Sequence, residues 1–271
     1  MFAIIRKSAV AILLAAAALV PVRAQQLAQG EVIHPKTHPV KFDAKLGAGV
    51  AVLSEGKLKQ IAVTLIELPP GKQLAARREL AEEMIYIVSG KGYTEMWNQA
   101  GGKKVRYEWK AGDLLSPSLN SFRQHANAST SEPARYIVVS TAPLTEHMFR
   151  NAGFLTGADY AFNDRWQDSI GLEPKYTPES EGPETVRMKV GHLLPDLPGR
   201  KMLYRGNGMD GITITPEGDM ASNKLLEMEV REFTNKDATS PEHRHVWETF
   251  YLILSGDGYA TLQQTAEQKP N

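Results

Sequence analysis

Apolar and polar positions alternate over residues 61–68, and the run mixes β-branched with polar residues. A period of two marks a strand with one buried face. Residues 84–88 form a five-residue apolar run, and 105–109 and 136–141 add two further β-rich segments, all bounded by glycine and proline. No stretch of 50–143 carries the 3.6-residue period of an amphipathic helix, so the region reads as all-β, a sandwich or a barrel. The pattern changes over 146–198, which is rich in Gly, Pro, Asp and Glu with isolated Phe149, Tyr160, Phe162 and Trp166. That composition predicts a long connection with short helices. Strand signals resume at 211–215 and 224–233.

The start of the chain has a different character. Arg6 and Lys7 precede a twelve-residue apolar run over 9–20, followed by Val22-Arg23-Ala24. A basic start, a short apolar run and small residues form a secretory signal pattern, and the run is short of the roughly 20 residues a spanning helix needs. Cleavage is expected near Ala24, giving an exported protein, periplasmic or secreted, with no membrane segment in the mature form. Residues 25–49 read as a polar arm over the first domain.

Charge adds only exclusions. Lys plus Arg and Asp plus Glu both number 31 in 271 residues, so no basic excess speaks for a nucleic-acid partner. Cysteine is absent, which removes disulfides, thiolate metal sites and a cysteine nucleophile.

The chain also repeats itself. Ser89-Gly90-Lys91-Gly92-Tyr93 returns as Ser255-Gly256-Asp257-Gly258-Tyr259, and each copy follows an apolar run, 84–88 and 250–254. Both runs are expected to be strands of a duplicated domain. Gly206 to Gly211 satisfies a Gly-x-Gly-x-x-Gly pattern, but a β segment follows it where a dinucleotide site needs a helix, so it reads as a turn.

The sharpest chemical signal is His243-Arg244-His245. On a strand, positions i and i+2 share a face, and two imidazoles on one face make half a metal site. Glu248 is a candidate third ligand. His192, before Leu193-Leu194-Pro195, reads as structural.

On these residues the sequence resembles the cupin superfamily, as a two-barrel chain similar to gentisate 1,2-dioxygenase-like and oxalate decarboxylase-like bicupins. His243 and His245 fall on the family's His-x-His and Gly256 on its closing glycine, while the glutamate slot falls on Thr249 with Glu248 one position early. In the first half Gly71, Glu83 and Gly90 keep the frame, but Arg77 and Glu79 stand at the His-x-His positions. In the second motif Gly112 and Asn127 fit, Asn120 stands where glycine is usual, and Arg123 fills the histidine slot with His125 two residues on.

The resemblance implies an all-β double-stranded β-helix, a jelly-roll-like barrel, duplicated. It places the first barrel at 50–143, the connection at 144–198 and a second, incomplete barrel at 199–271. It implies a divalent metal, Fe(II) or Mn(II), at His243, His245 and Glu248, dioxygenase-like chemistry on a small aromatic or organic acid, and a homo-oligomer. The alternative is a non-catalytic binding or structural cupin, or an inactive remnant. In the first barrel, Arg77, Glu79, Glu83, Arg123 and His125 admit three readings: structural ion pairs, capture of a carboxylate, or a metal through Glu79, Glu83 and His125. From His243 to the last residue is 28 residues, against 66 from Arg77 to Pro143. A fragment, strands donated by a partner subunit, or an open docking half would each account for that difference.

Overall fold

A computed structural model describes residues 32–55, 57–166, 175–178, 186–189, 191–200, 209–214, 223–233, 237–240 and 247–261. Contacts divide the chain into a large unit, Pro35–Glu248, and a small one of Met1–His34 with Thr249–Asn271.

In the large unit the strands are β1 (Lys41–Asp43), β2 (Ala48–Val52), β3 (Ala62–Leu68), β4 (Glu83–Ser89), β5 (Lys91–Trp97), β6 (Val105–Lys110), β7 (Leu114–Leu115), β8 (Phe122–Asn127) and β9 (Ala134–Ser140). Helices α1 (Ala142–Phe149) and α2 (Ala152–Gly157) follow, then β10 (Lys175–Pro178), β11 (Val186–Lys189), β12 (Leu193–Leu194), a 3-10 turn at Leu197–Gly199, β13 (Met209–Ile214) and β14 (Met228–Phe233).

Two facing sheets build a jelly roll. One has the order β1-β2-β3-β9-β4-β7-β12 and the other β6-β5-β8. The second gains a fourth member from the chain between β3 and β4, which bridges to β8 at Gln73–Ala126 and Arg77–Arg123. The Arg77 N–H donates to Arg123 O at 3.0 Å and the Arg123 N–H returns the bond at 2.8 Å. The four strands β3-β9-β4-β7 thus face the four of segment 73–77, β8, β5 and β6. The chain crosses between the sheets in the manner of a jelly roll. This is the all-β jelly-roll class expected of a single barrel.

Alternation explains the core. Val105, Tyr107 and Trp109 of β6 are buried, while Arg106, Glu108 and Lys110 between them are exposed. Leu68, Ile85, Ile87, Met96, Leu115 and Tyr136 pack with them between the sheets. The corner from β4 to β5 turns on Gly90, at φ +83°, where an added Cβ would lie 2.7 Å from Ala134 Cα. Only glycine fits such a corner. Asn120, at the expected glycine position of the second motif, has φ +55°. Asparagine tolerates this left-handed conformation, and its Nδ2 donates to Ala158 O at 3.1 Å and Tyr160 O at 2.8 Å.

Three expectations need correction. The arm of 25–49 ends earlier, because Lys41–Asp43 and Ala48–Val52 pair and extend the sheet beyond β3. The strand expected over 224–233 begins only at Met228, because the N–H groups of Lys224, Leu225 and Leu226 are taken by the Glu82 carboxylate. Residues 250–254 of the small unit carry no strand. A strand exists only through its ladder to a neighbouring strand, which an apolar run does not by itself supply.

Candidate functional site

The candidate site is an ion cluster between the sheets of the barrel. Arg123 and His125 share the inward face of β8, as a two-residue spacing requires. Arg77 comes from the bridging segment beside β8, Glu79 from the loop after it, and Glu83 from the first residue of β4. Arg123 is 1% exposed and Glu83 2%, whereas Arg77 keeps 31% and Glu79 19% of its side chain accessible. The cluster is therefore buried at one end and reaches solvent at the other.

The arginines bridge the carboxylates. Arg123 Nη2 donates to Glu83 Oε1 at 2.7 Å and to Glu79 Oε2 at 3.2 Å. Arg77 Nη2 donates to Glu83 Oε1 at 3.3 Å, and its Nη1 to Glu79 Oε1. Burial opposes the charge on Glu83, but the attraction of Arg123 and then Arg77 overrides it and holds the carboxyl below its ordinary range. Arg77 is held protonated: burial opposes its charge, and Glu83 and Glu79 more than offset that.

His125 is neutral. Burial first, then the two arginines, lowers its pKa to about 3. Its Nδ1 shares a 2.7 Å hydrogen bond with Thr94 Oγ1, which also accepts from Trp109 Nε1 at 3.0 Å. The imidazole packs on the Tyr136 ring at 5.5 Å between centroids. Burial also raises the Tyr136 phenol pKa, so this group stays protonated. Three buried atoms of the cluster have no hydrogen-bond partner among the described residues: Glu83 Oε2, Arg123 Nε and His125 Nε2.

The donor set does not suit a metal. Guanidinium groups donate hydrogen bonds and have no lone pair to offer, and two of them occupy the positions where the resemblance expects histidines. Among the described residues no three His, Asp or Glu side chains converge closely enough to hold an ion. A surface cleft of about 500 Å³, lined by Lys91, Tyr93, Glu108, Lys110, Asp113 and Leu193 among others, contains none of the cluster residues.

Of the second half's candidates, His243 and His245 lie outside the described residues. Glu248 is described and grips a loop. Its Oε1 accepts from Lys59 N at 2.5 Å and its Oε2 from Gln60 N at 2.7 Å and Ile61 N at 3.0 Å. Burial works against its ionisation, but these backbone donors lower its pKa. Glu82, which sequence reasoning missed, does the same more deeply. At 1% exposure it pairs with Arg165 at 2.7 Å and accepts from Lys224, Leu225 and Leu226 at 2.6 to 3.0 Å. The motif spacing singles out Glu83, and no sequence signal pointed to its neighbour Glu82. The backbone groups it satisfies are 142 to 144 residues away. His192 is a core histidine, 0% exposed, with Nδ1 at 2.9 Å from Ser116 O and its ring against Tyr107.

No protein-family model matches this chain, and no curated protein matches it. Among solved structures, the chain is similar to the cupin domain of Schizosaccharomyces pombe Cnp3, with 13% identity, 46% of this chain and 78% of that one covered, and a TM-score of 0.37. It is also similar to the vicilin of Solanum melongena at 18% identity, covering 40% of this chain and 30% of that one, TM-score 0.33. The Drosophila melanogaster CENP-C cupin domain follows at 13% identity, 37% and 74% coverage, TM-score 0.32.

Proposed function

We propose that this chain is an exported, non-catalytic binding protein with a cupin-type barrel, held at its centre by an ion network in place of a metal. One observation carries the reading. Two arginines and two carboxylates fill the expected ligand positions and balance each other's charge. A cupin oxygenase needs lone-pair donors around an ion and open positions beside it. Arg77 and Arg123 supply neither.

Export rests on the leader pattern of 1–24. The finer likeness to bicupin dioxygenases, with Fe(II) or Mn(II), rests on the spacing of His243 and His245. Glu248 is taken up by the loop at Lys59–Ile61 instead of standing free as a third ligand.

The test is metal content in the protein carrying His243→Ala and His245→Ala together, purified without chelator from medium supplemented with iron and manganese. The expected result is no bound metal and a Tm unchanged by chelation. One equivalent of metal that survives both substitutions and disappears on Glu83→Gln would overturn the reading.

A further inference from the structure

We propose that the Arg77–Arg123 pair is a binding site for a small carboxylate anion, and that Glu79 occupies it as a built-in competitor. The inference rests on the preceding reading that no metal fills the barrel centre. Glu79 stands as a ligand would. Each of its oxygens meets a different arginine, Oε1 with Arg77 Nη1 and Oε2 with Arg123 Nη2. This is the two-oxygen recognition that guanidinium groups offer any carboxylate.

Glu83 is placed differently. It is 2% exposed and contacts both arginines through Oε1 alone, so it is a fixed counter-charge at the closed end. Glu79 lies at the open end, 19% exposed beside Arg77 at 31%. It belongs to no strand, and its backbone is tied through its carbonyl, which accepts from Asn120 N at 3.1 Å. The side chain is free to leave while the backbone stays pinned.

Exchange is balanced electrostatically. When Glu79 swings out, an incoming carboxylate restores the same two negative charges against the same two positive ones, so no uncompensated charge is buried. Of the buried atoms left without a partner, Arg123 Nε is a donor a carboxylate can use, whereas Glu83 Oε2 is an acceptor that a carboxylate, having no proton to give, cannot serve. A tethered competitor acts at an effective concentration of roughly millimolar or more, so the wild-type protein takes a free carboxylate only weakly.

The experiment titrates acetate into the full-length protein, wild type and Glu79→Ala, with chloride at equal ionic strength as the control. Calorimetry reads affinity and thermal unfolding reads Tm. Glu79→Ala is expected to bind acetate about tenfold more tightly than wild type, with Tm raised by acetate and not by chloride. Adding Arg77→Ala to it should abolish both effects. Should Glu79→Ala fail to fold, Glu79→Gln keeps the side-chain length, removes the charge and carries the same outcomes. Equal acetate response in variant and wild type, or a response that survives Arg77→Ala, would overturn the proposal. Metal content of the wild type and of Glu83→Gln separates the two readings. Metal lost on Glu83→Gln defeats the non-metal barrel, whereas a metal-free protein without an acetate effect defeats only the carboxylate site.

Discussion

The two copies of Ser-Gly-x-Gly-Tyr share a backbone feature and little else. Gly90 has φ +83° and Gly256 φ +82°. Before Gly90 the chain is β4, paired with β9 on one side and β7 on the other. Before Gly256 there is no strand. A Cβ on Gly90 would strike Ala134, whereas a Cβ on Gly256 would meet nothing within 4 Å among the described residues. Tyr93 lies under the Arg106 guanidinium at 4.0 Å, while Tyr259 is 80% exposed. The turn is a local property and survives repetition. The strand is a property of its neighbours, since a ladder satisfies backbone groups only when a second strand is present.

The contrast breaks most readily at the barrel centre. Arg123→Ala leaves Glu83 buried without its nearest cation, and removing one partner of such a pair costs about 3–5 kcal/mol. Urea unfolding should show that loss for the large unit. Tyr259→Ala, in the small unit, should leave the same transition within about 0.5 kcal/mol.

Acid should act on the same centre. The folded pKa of His125, about 3, lies below its ordinary 6.5, so the unfolded chain binds this proton across that window and the folded chain does not. The stability it contributes is complete above pH 6.5 and falls as pH drops toward 3, by about 1.4 kcal/mol per unit. Glu83, also depressed, adds a loss of the same sign below its ordinary 4.5. His125→Gln should flatten the stability slope between pH 6.5 and 4.5. An unchanged slope would remove His125 from the account.

The glycine pair sharpens the comparison directly. Gly90→Ala should cost about 3 kcal/mol, from a left-handed backbone plus a contact with Ala134. Gly256→Ala meets only the backbone penalty of about 1 kcal/mol. Equal costs by thermal unfolding would show that the second copy is packed as tightly as the first. A similarly small effect is expected at Glu248. Glu248→Ala frees three N–H groups near the surface that water can serve, and should cost about 1 kcal/mol. Glu82→Ala, which removes the acceptor of three partly buried N–H groups and a carboxylate partner of Arg165, should cost about 3 kcal/mol.

Much of the fold was legible because it follows from a period of two. The burial of Val105, Tyr107 and Trp109 in β6 is written in their spacing, and the shared inward face of Arg123 and His125 follows from the same rule. The members of the ion cluster were legible too, since Arg77, Glu79, Glu83 and Arg123 each fell on a motif position and His125 lay two residues beyond one. Segment 73–77 was not, because it joins its sheet by two isolated bridges and has no alternating run of its own. Leu114–Leu115 is too short to show a period. Glu82 and Glu248 were opaque for a different reason. A carboxylate that gathers three consecutive N–H groups is defined by a loop far away in sequence, Lys224–Leu226 for one and Lys59–Ile61 for the other. The apolar run of 250–254 misled because composition reads as a strand face, whereas a strand depends on the neighbour it pairs with.

The central claim is that Arg123 and Glu83 act as one unit at the barrel centre. A double-mutant cycle tests it most directly, with Arg123→Met, Glu83→Gln and the pair measured by urea unfolding. Each single change leaves a buried charge without its nearest partner, and the double change removes both charges. The account predicts that the double variant loses about 2 kcal/mol less than the two single losses together. Losses that add would contradict it, because the two side chains would then stabilise the barrel independently.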